Sequence, residues 1–194
     1  MASRFQVRPL LQVAAFAAIA FTTRASLADH YRVPSSSMAP TVHVGDHIVV
    51  AKVAYGLRLP LTDEWLVRFA SPARGEVVVL EPPRGDELAD RDPDLLGAVL
   101  LKRVVALPGD LVEVRDGRVL VDGKPLREPW ASLAEGVGPD LGPVRVPAGK
   151  LLVLGDNRGN SRDGRIFGWI DRDRVLGRAM AVVARDGHMT YEKL

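Results

Sequence analysis

Cysteine is absent from the 194 residues. That excludes disulfides, thiolate metal sites and a cysteine nucleophile, and it leaves the cellular compartment open. No excess of one charge is present either: 26 basic residues face 24 acidic ones, for a net charge of +2. Charge therefore gives no reason to expect a nucleic-acid partner. Histidine is scarce at four, and none accompanies a Gly-x-Ser-x-Gly nucleophile elbow. There is no internal repeat and no linker long enough to separate a pair of domains. What is present is a large apolar share, 47%, with 18 glycines and 14 prolines between short Val/Leu runs. That composition excludes a disordered chain and favours a β-rich body over a helical bundle. The length suits one domain with a real core.

The longest apolar stretch is Pro9 to Thr23, behind Arg4 and Arg8. Fifteen residues of helix span roughly 22 Å, against about 30 Å of hydrocarbon. Extended back to Phe5, with Arg8 snorkelling, the stretch becomes a marginal membrane anchor. Residues 1–28 are thus expected to form an N-terminal apolar helix, a retained anchor or a cleavable secretory signal ending near Ser26-Leu27-Ala28. A buried core helix is the third alternative. Either of the first two exports residues 29–194, and Arg4 and Arg8 favour an inside N-terminus.

Beyond it the pattern predicts short strands: His47–Ala51, Glu76–Leu80, a buried run over Leu95–Leu107, and Val175–Val183. Asp116-Gly117 between Val112-Glu113-Val114 and Val119-Leu120-Val121 predicts a tight hairpin. Val53–Leu59 is expected extended or looped, Leu61–Ala73 a loop, Phe167–Ile170 a strand, and His188–Leu194 a tail. The body is expected to be mostly β and antiparallel, with a small β subdomain at about residues 111–150.

Three stretches stand out chemically. Val33–Val44 places Ser35, Ser36 and Ser37 between Pro34 and Met38. Proline stiffens such a segment, so a hydroxyl on it can be aimed. A serine needs a base to take its proton, and no histidine motif offers one. Lys102 sits in the most apolar run outside the N-terminal stretch, Ala98–Ala106. Buried, its amine would titrate lower, as a base working near neutrality requires. Gly155–Gly164 is a dense polar loop. Each has a plainer account: a capping serine run, a basic sheet edge, a turn held by Asx bonds.

Taken together and in order, these stretches resemble the boxes of type I signal peptidases, membrane-anchored Ser-Lys proteases. Pro34–Thr41 looks like the nucleophile box, with Gly45-Asp46 behind it. Arg74–Val79 is similar to the Arg-Gly-Asp/Glu strand, Leu101–Asp110 to the lysine box, and Gly155–Asn157 with Arg158, Asn160, Ser161, Asp163 and Arg165 to the last box. The likeness runs from about Val33 to Arg178.

The resemblance implies Ser37 as nucleophile and Lys102 as general base. It implies an oxyanion site from the Ser35 hydroxyl and the Ser37 N–H, with Ser161 orienting the Lys102 amine. Asp163 with Arg165 would form a structural ion pair, while Asp156 and Arg158 shape the same loop. Val33, Met38, Val42 and Leu101 would wall the substrate pockets. The implied partners are signal peptides of exported preproteins and the lipid bilayer, with no nucleic acid, no metal and no cofactor. The implied location is the bacterial cytoplasmic (inner) membrane, crossed once, with the catalytic domain outside. A conjugation-type Ser-Lys peptidase and a silent peptide-binding module remain alternatives. Three positions depart from the family pattern: Ser36 for a usual glycine, Gly159 for Asp and Gly164 for Ser. They imply a looser last loop.

Overall fold

The computed structural model describes residues 28–59, 64–83, 95 and 97–194. The expected N-terminal apolar helix lies outside them. Among the described residues no helix is long and apolar enough to cross a membrane.

Alternating and all-apolar runs become antiparallel strands. They are β1 (Ala28–Arg32), β2 (His47–Ala51), β3 (Gly56–Arg58), β4 (Trp65–Arg68), β5 (Val77–Leu80) and β6 (Leu100–Ala106). Next come β7 (Leu111–Arg115), β8 (Arg118–Val121), β9 (Lys124–Pro125), β10 (Leu141–Arg145) and β11 (Lys150–Leu154). A single helical turn, α1 (Gly164–Phe167), precedes β12 (Ile170–Asp171), β13 (Val175–Arg185) and β14 (His188–Lys193). The main sheet runs β1-β2-β13-β5-β6-β11-β12, with β14 also on β13. A second sheet, β10-β7-β8-β9, is built from residues 111–145.

Strand β5 is buried throughout, which is why its sequence is a continuous apolar run rather than an alternating one; β6 is buried from Lys102 onward, so its Lys102-Arg103 pair lies inside. Three apolar clusters fill the body. One gathers Val78, Leu80, Val104, Leu151 and Phe167. Another gathers Val33, Met38, Val42, Ile48 and Val182. The third, with Val105, Val112, Val119, Leu152 and Leu154, joins the two sheets.

Four sequence expectations are corrected. The loop expected over Leu61–Ala73 contains β4, paired with β3 through Gly56↔Arg68 and Leu57↔Val67. Its pattern is hidden because Leu66, Val67 and Phe69 are exposed, while Trp65 packs between the guanidinium groups of Arg58 and Arg68. The expected tail is β14, joined to β13 by Asp186-Gly187, both at positive φ. The strand expected at Phe167–Ile170 forms only from Ile170: Phe167 closes α1, which Asp163 caps by accepting from the Arg165 N–H and which Gly168 ends. The run expected from Leu95 becomes strand only at Leu100. The predicted hairpin forms: Asp116 and Gly117 both take positive φ, the turn that matches strand twist.

Candidate active site

Ser37 lies on a turn between β1 and β2, closed by the Ala39 N–H to the Ser36 carbonyl and the Val42 N–H to the Met38 carbonyl. Met38 and Val42 sink into the core and pin the turn. Lys102 sits on β6, between Val78 of β5 on one side and β11 on the other. The two side chains are 65 residues apart in sequence and meet: Lys102 Nζ is 2.8 Å from Ser37 Oγ and 3.0 Å from the Leu101 carbonyl. Lys102 is 3% exposed and Ser37 8%.

Burial disfavours the ammonium and lowers the Lys102 pKa from 10.5 to about 8. Asp163 and Asp156 pull the other way, with smaller effect. Each of these carboxylates is matched to a guanidinium. Arg165 bonds Asp163 through Nε and Nη2, both at 2.8 Å. Arg103 clamps Asp156 at 2.9 and 2.7 Å.

Ser35 Oγ is 3.2 Å from Ser37 Oγ. Ser161 is brought to the same cleft, but its hydroxyl is buried without a hydrogen-bond partner. The bond to the Lys102 amine that the resemblance implies is not formed; the Leu101 carbonyl holds that amine instead. Asp163 and Arg165 are the expected ion pair, fully buried. Asp156 and Arg158 do not pair with each other. Asp156 also accepts from Thr41 Oγ1 at 2.5 Å, tying the polar loop to the serine turn. Arg158 reaches Glu128 at 2.5 Å and the Gly117 carbonyl at 2.5 Å, tying it to the second sheet.

Ser37 and Lys102 open into a cleft of about 700 Å³. Val33, Met38 and Leu101 line it as expected. Val42 does not: it is wholly buried in the cluster behind the turn. The opposite wall carries Gly138, Pro139 and Asn160.

The last loop is tight rather than loose. A Cβ on Gly159 would strike the Glu135 carbonyl and come within 2.6 Å of the Gly136 nitrogen. On Gly164 it would meet Leu152 Cδ1 at 2.6 Å and the Val153 carbonyl at 2.9 Å. Backbone and side chains from elsewhere occupy the space that larger residues would need. Ser36 uses its extra hydroxyl to accept from Asn160 Nδ2 at 3.3 Å.

Sequence reasoning missed Arg103, Thr41, Glu128, Glu135 and Trp130, over whose ring the Arg103 guanidinium lies at 4.4 Å. Arg103 had a signal, since an arginine in so apolar a run needs a buried acceptor.

A hydroxyl held against a desolvated amine, in an open cleft of a mostly β body, is the equipment of a serine hydrolase. Comparison with known proteins narrows the class. The family model described as "Signal peptidase, peptidase S26" matches residues 6–184. A signal peptidase I from Leptolyngbya laminosa is 38% identical over 84% of this chain and 71% of its own length. A probable signal peptidase I-1 from Synechocystis is 38% identical over 89% and 78%. A solved signal peptidase I from Enterococcus faecalis aligns at 28% identity with a TM-score of 0.44, over 57% of this chain and 97% of that one. The chain belongs to the signal peptidase family, peptidase S26, and is a serine protease of that family.

Proposed function

We propose that this protein is a membrane-bound endopeptidase that removes N-terminal signal peptides from exported preproteins, using Ser37 and Lys102 through an acyl-enzyme. The observation that carries the reading is the 2.8 Å contact between Lys102 Nζ and Ser37 Oγ in a desolvated setting.

A neutral amine offers two N–H bonds and one lone pair. One N–H goes to the Leu101 carbonyl, and at 2.8 Å from Ser37 Oγ the lone pair of the neutral amine is within reach of the Ser37 proton. Lys102 takes the Ser37 proton as Ser37 Oγ attacks the scissile carbonyl. The tetrahedral oxyanion is met by the Ser35 hydroxyl and the Ser37 N–H. Lys102 then hands its proton to the leaving amine. The mature protein departs, leaving the signal peptide esterified to Ser37. Lys102 next deprotonates a water, which hydrolyses the ester and regenerates Ser37.

The substrate binds extended along the cleft, dropping alternate side chains into pockets. Val33, Met38 and Leu101 line that cleft; pockets walled by such residues would favour Ala-like residues at the first and third positions before the cut. The basic-flanked apolar segment near the N-terminus supports a cytoplasmic-membrane location with the β body outside.

The test is cleavage of a purified preprotein bearing an Ala-x-Ala site by the full chain in detergent. The wild type is expected to cut once, after the second Ala. Ser37→Ala should abolish the cut, and Lys102→Ala should lower it by about 10²–10⁴-fold, each with the fold intact by circular dichroism. A fully active, folded variant at either position would overturn the dyad.

A further inference from the structure

The wall of the cleft that carries Gly138 and Pro139 comes from residues 131–140, which lead into β10. This segment has no regular structure, yet it is fastened to the last loop at several points. The Ser132 N–H donates to the Asp156 carbonyl at 2.7 Å, and the Arg158 N–H returns a bond to the Ser132 carbonyl at 3.0 Å. Arg165 Nη1 donates to the Val137 carbonyl at 2.7 Å. Between these points stands Glu135, exposed at the surface yet using both carboxylate oxygens. Asn157 Nδ2 donates to Oε1 and Asn160 Nδ2 to Oε2, each at 2.8 Å.

The same two amide nitrogens reach the residue before the nucleophile. Asn157 Nδ2 also donates to the Ser36 carbonyl, and Asn160 Nδ2 to Ser36 Oγ, each at 3.3 Å. The Asn157 N–H donates to the Ser37 carbonyl at 3.1 Å. Asn157 Oδ1 is buried without a partner, so this amide is turned to spend both hydrogens at the expense of its own oxygen. A carboxylate is a pure acceptor and demands that orientation of both amides at once. The bonds from Asn157 and Asn160 hold the Glu135 carboxyl below its ordinary range, so it is ionised wherever Lys102 is neutral. Gly159 leaves room for the Glu135 backbone to come this close.

We propose that Glu135 is a positioning residue for the reaction: by bridging Asn157 and Asn160 it fixes the Ser36–Ser37 turn and the Gly138-Pro139 wall of the cleft. This rests on Ser37 being the nucleophile.

A glutamine at 135 has the same shape but one donor end, which would face an Asn NH2. Glu135→Gln should therefore lower both kcat and kcat/KM for preprotein cleavage, by roughly 10-fold to 100-fold, as expected for a displaced nucleophile. It should also slow acylation of Ser37 by a small fluorophosphonate, which a role in preprotein binding alone would not do. Adding Asn160→Asp reverses donor and acceptor: the new carboxylate accepts from the introduced amide, whose carbonyl accepts from Asn157. This double variant should recover to within about 3-fold of wild type, a coupling that independent surface sites do not show. Glu135→Asp keeps two acceptors and serves if the glutamine variant melts early; it should acylate faster than Glu135→Gln.

Glu135→Gln within about 2-fold of wild type, or a double variant slower than the single, would overturn the proposal. Ser37→Ala is run alongside. If it still cuts, the nucleophile assignment has failed; if it is dead while Glu135→Gln is unimpaired, only the clamp has failed.

Discussion

Lys102 carries its amine to a place where an ammonium is disfavoured, with 3% of the residue exposed. Its pKa of about 8, against 10.5 in an unfolded chain, has a consequence for stability. Between those values the unfolded state binds more protons than the native one, so stability rises with pH from about 8 to about 10.5. Below pH 8 the fold bears the whole penalty, about 3 kcal/mol at 1.36 kcal/mol per pKa unit. Lys102→Met fills similar space without charge. It is expected to be inactive yet more stable than wild type at pH 7, by about 1–2 kcal/mol after loss of the two amine hydrogen bonds, with a flatter stability profile between pH 8 and 10.5. Urea unfolding across pH measures both; a variant less stable than wild type at pH 7 would show that the amine stabilises the fold. The residues that meet here were partly legible. Ser37 and Lys102 were found through ordered motifs, although neither the serine run nor the lysine is telling alone. The bond implied for Ser161 is not formed: its hydroxyl is buried without a partner, and the amine sits on the Leu101 carbonyl. Val42 is wholly buried in the same cluster as Met38 but does not reach the cleft, a difference that spacing cannot show.

At the scale of elements, strands on the main sheet were legible because burial on both faces writes a continuous apolar run, as at Val77–Leu80. Asp116-Gly117 was legible because only special backbone angles close so short a hairpin. Asp186-Gly187 carries the same signal, and β14 was missed because its Met189 and Tyr191 are exposed and its alternation does not stand out. The last loop was expected to be loose where Gly159 and Gly164 replace larger residues, since sequence cannot show which distant backbone fills a gap. Here residues 135–136 fill it at Gly159, and Leu152 with Val153 at Gly164. Gly159→Ala is accordingly expected to destabilise the chain by about 1–3 kcal/mol, as overpacking does, and to lower preprotein cleavage along with it. A thermal melt matching wild type would mean that the segment at Glu135 yields freely.

For the molecule as a whole, the site exists because two sheets and one turn are locked together by buried charge. Arg103–Asp156 ties β6 to the last loop, Arg158–Glu128 ties that loop to the second sheet, and Thr41–Asp156 ties both to the serine turn. The two ion pairs are costly to break singly, about 3–5 kcal/mol each, so they favour one arrangement of Ser37 and Lys102. None of this long-range wiring has a local signature, which is why the partners Glu128 and Thr41 went unread while the motifs were recognised. The central claim is that the Lys102 amine, its pKa lowered to about 8 by burial, takes the Ser37 proton in its neutral form. The pH dependence of Ser37 acylation by a fluorophosphonate, with the modified residue located by mass spectrometry, tests it most directly. The predicted result is labelling at Ser37 alone, rising about tenfold per pH unit below pH 8, levelling above it, and largely lost in Lys102→Ala. Labelling that is flat through pH 8, or unchanged in Lys102→Ala, would contradict it.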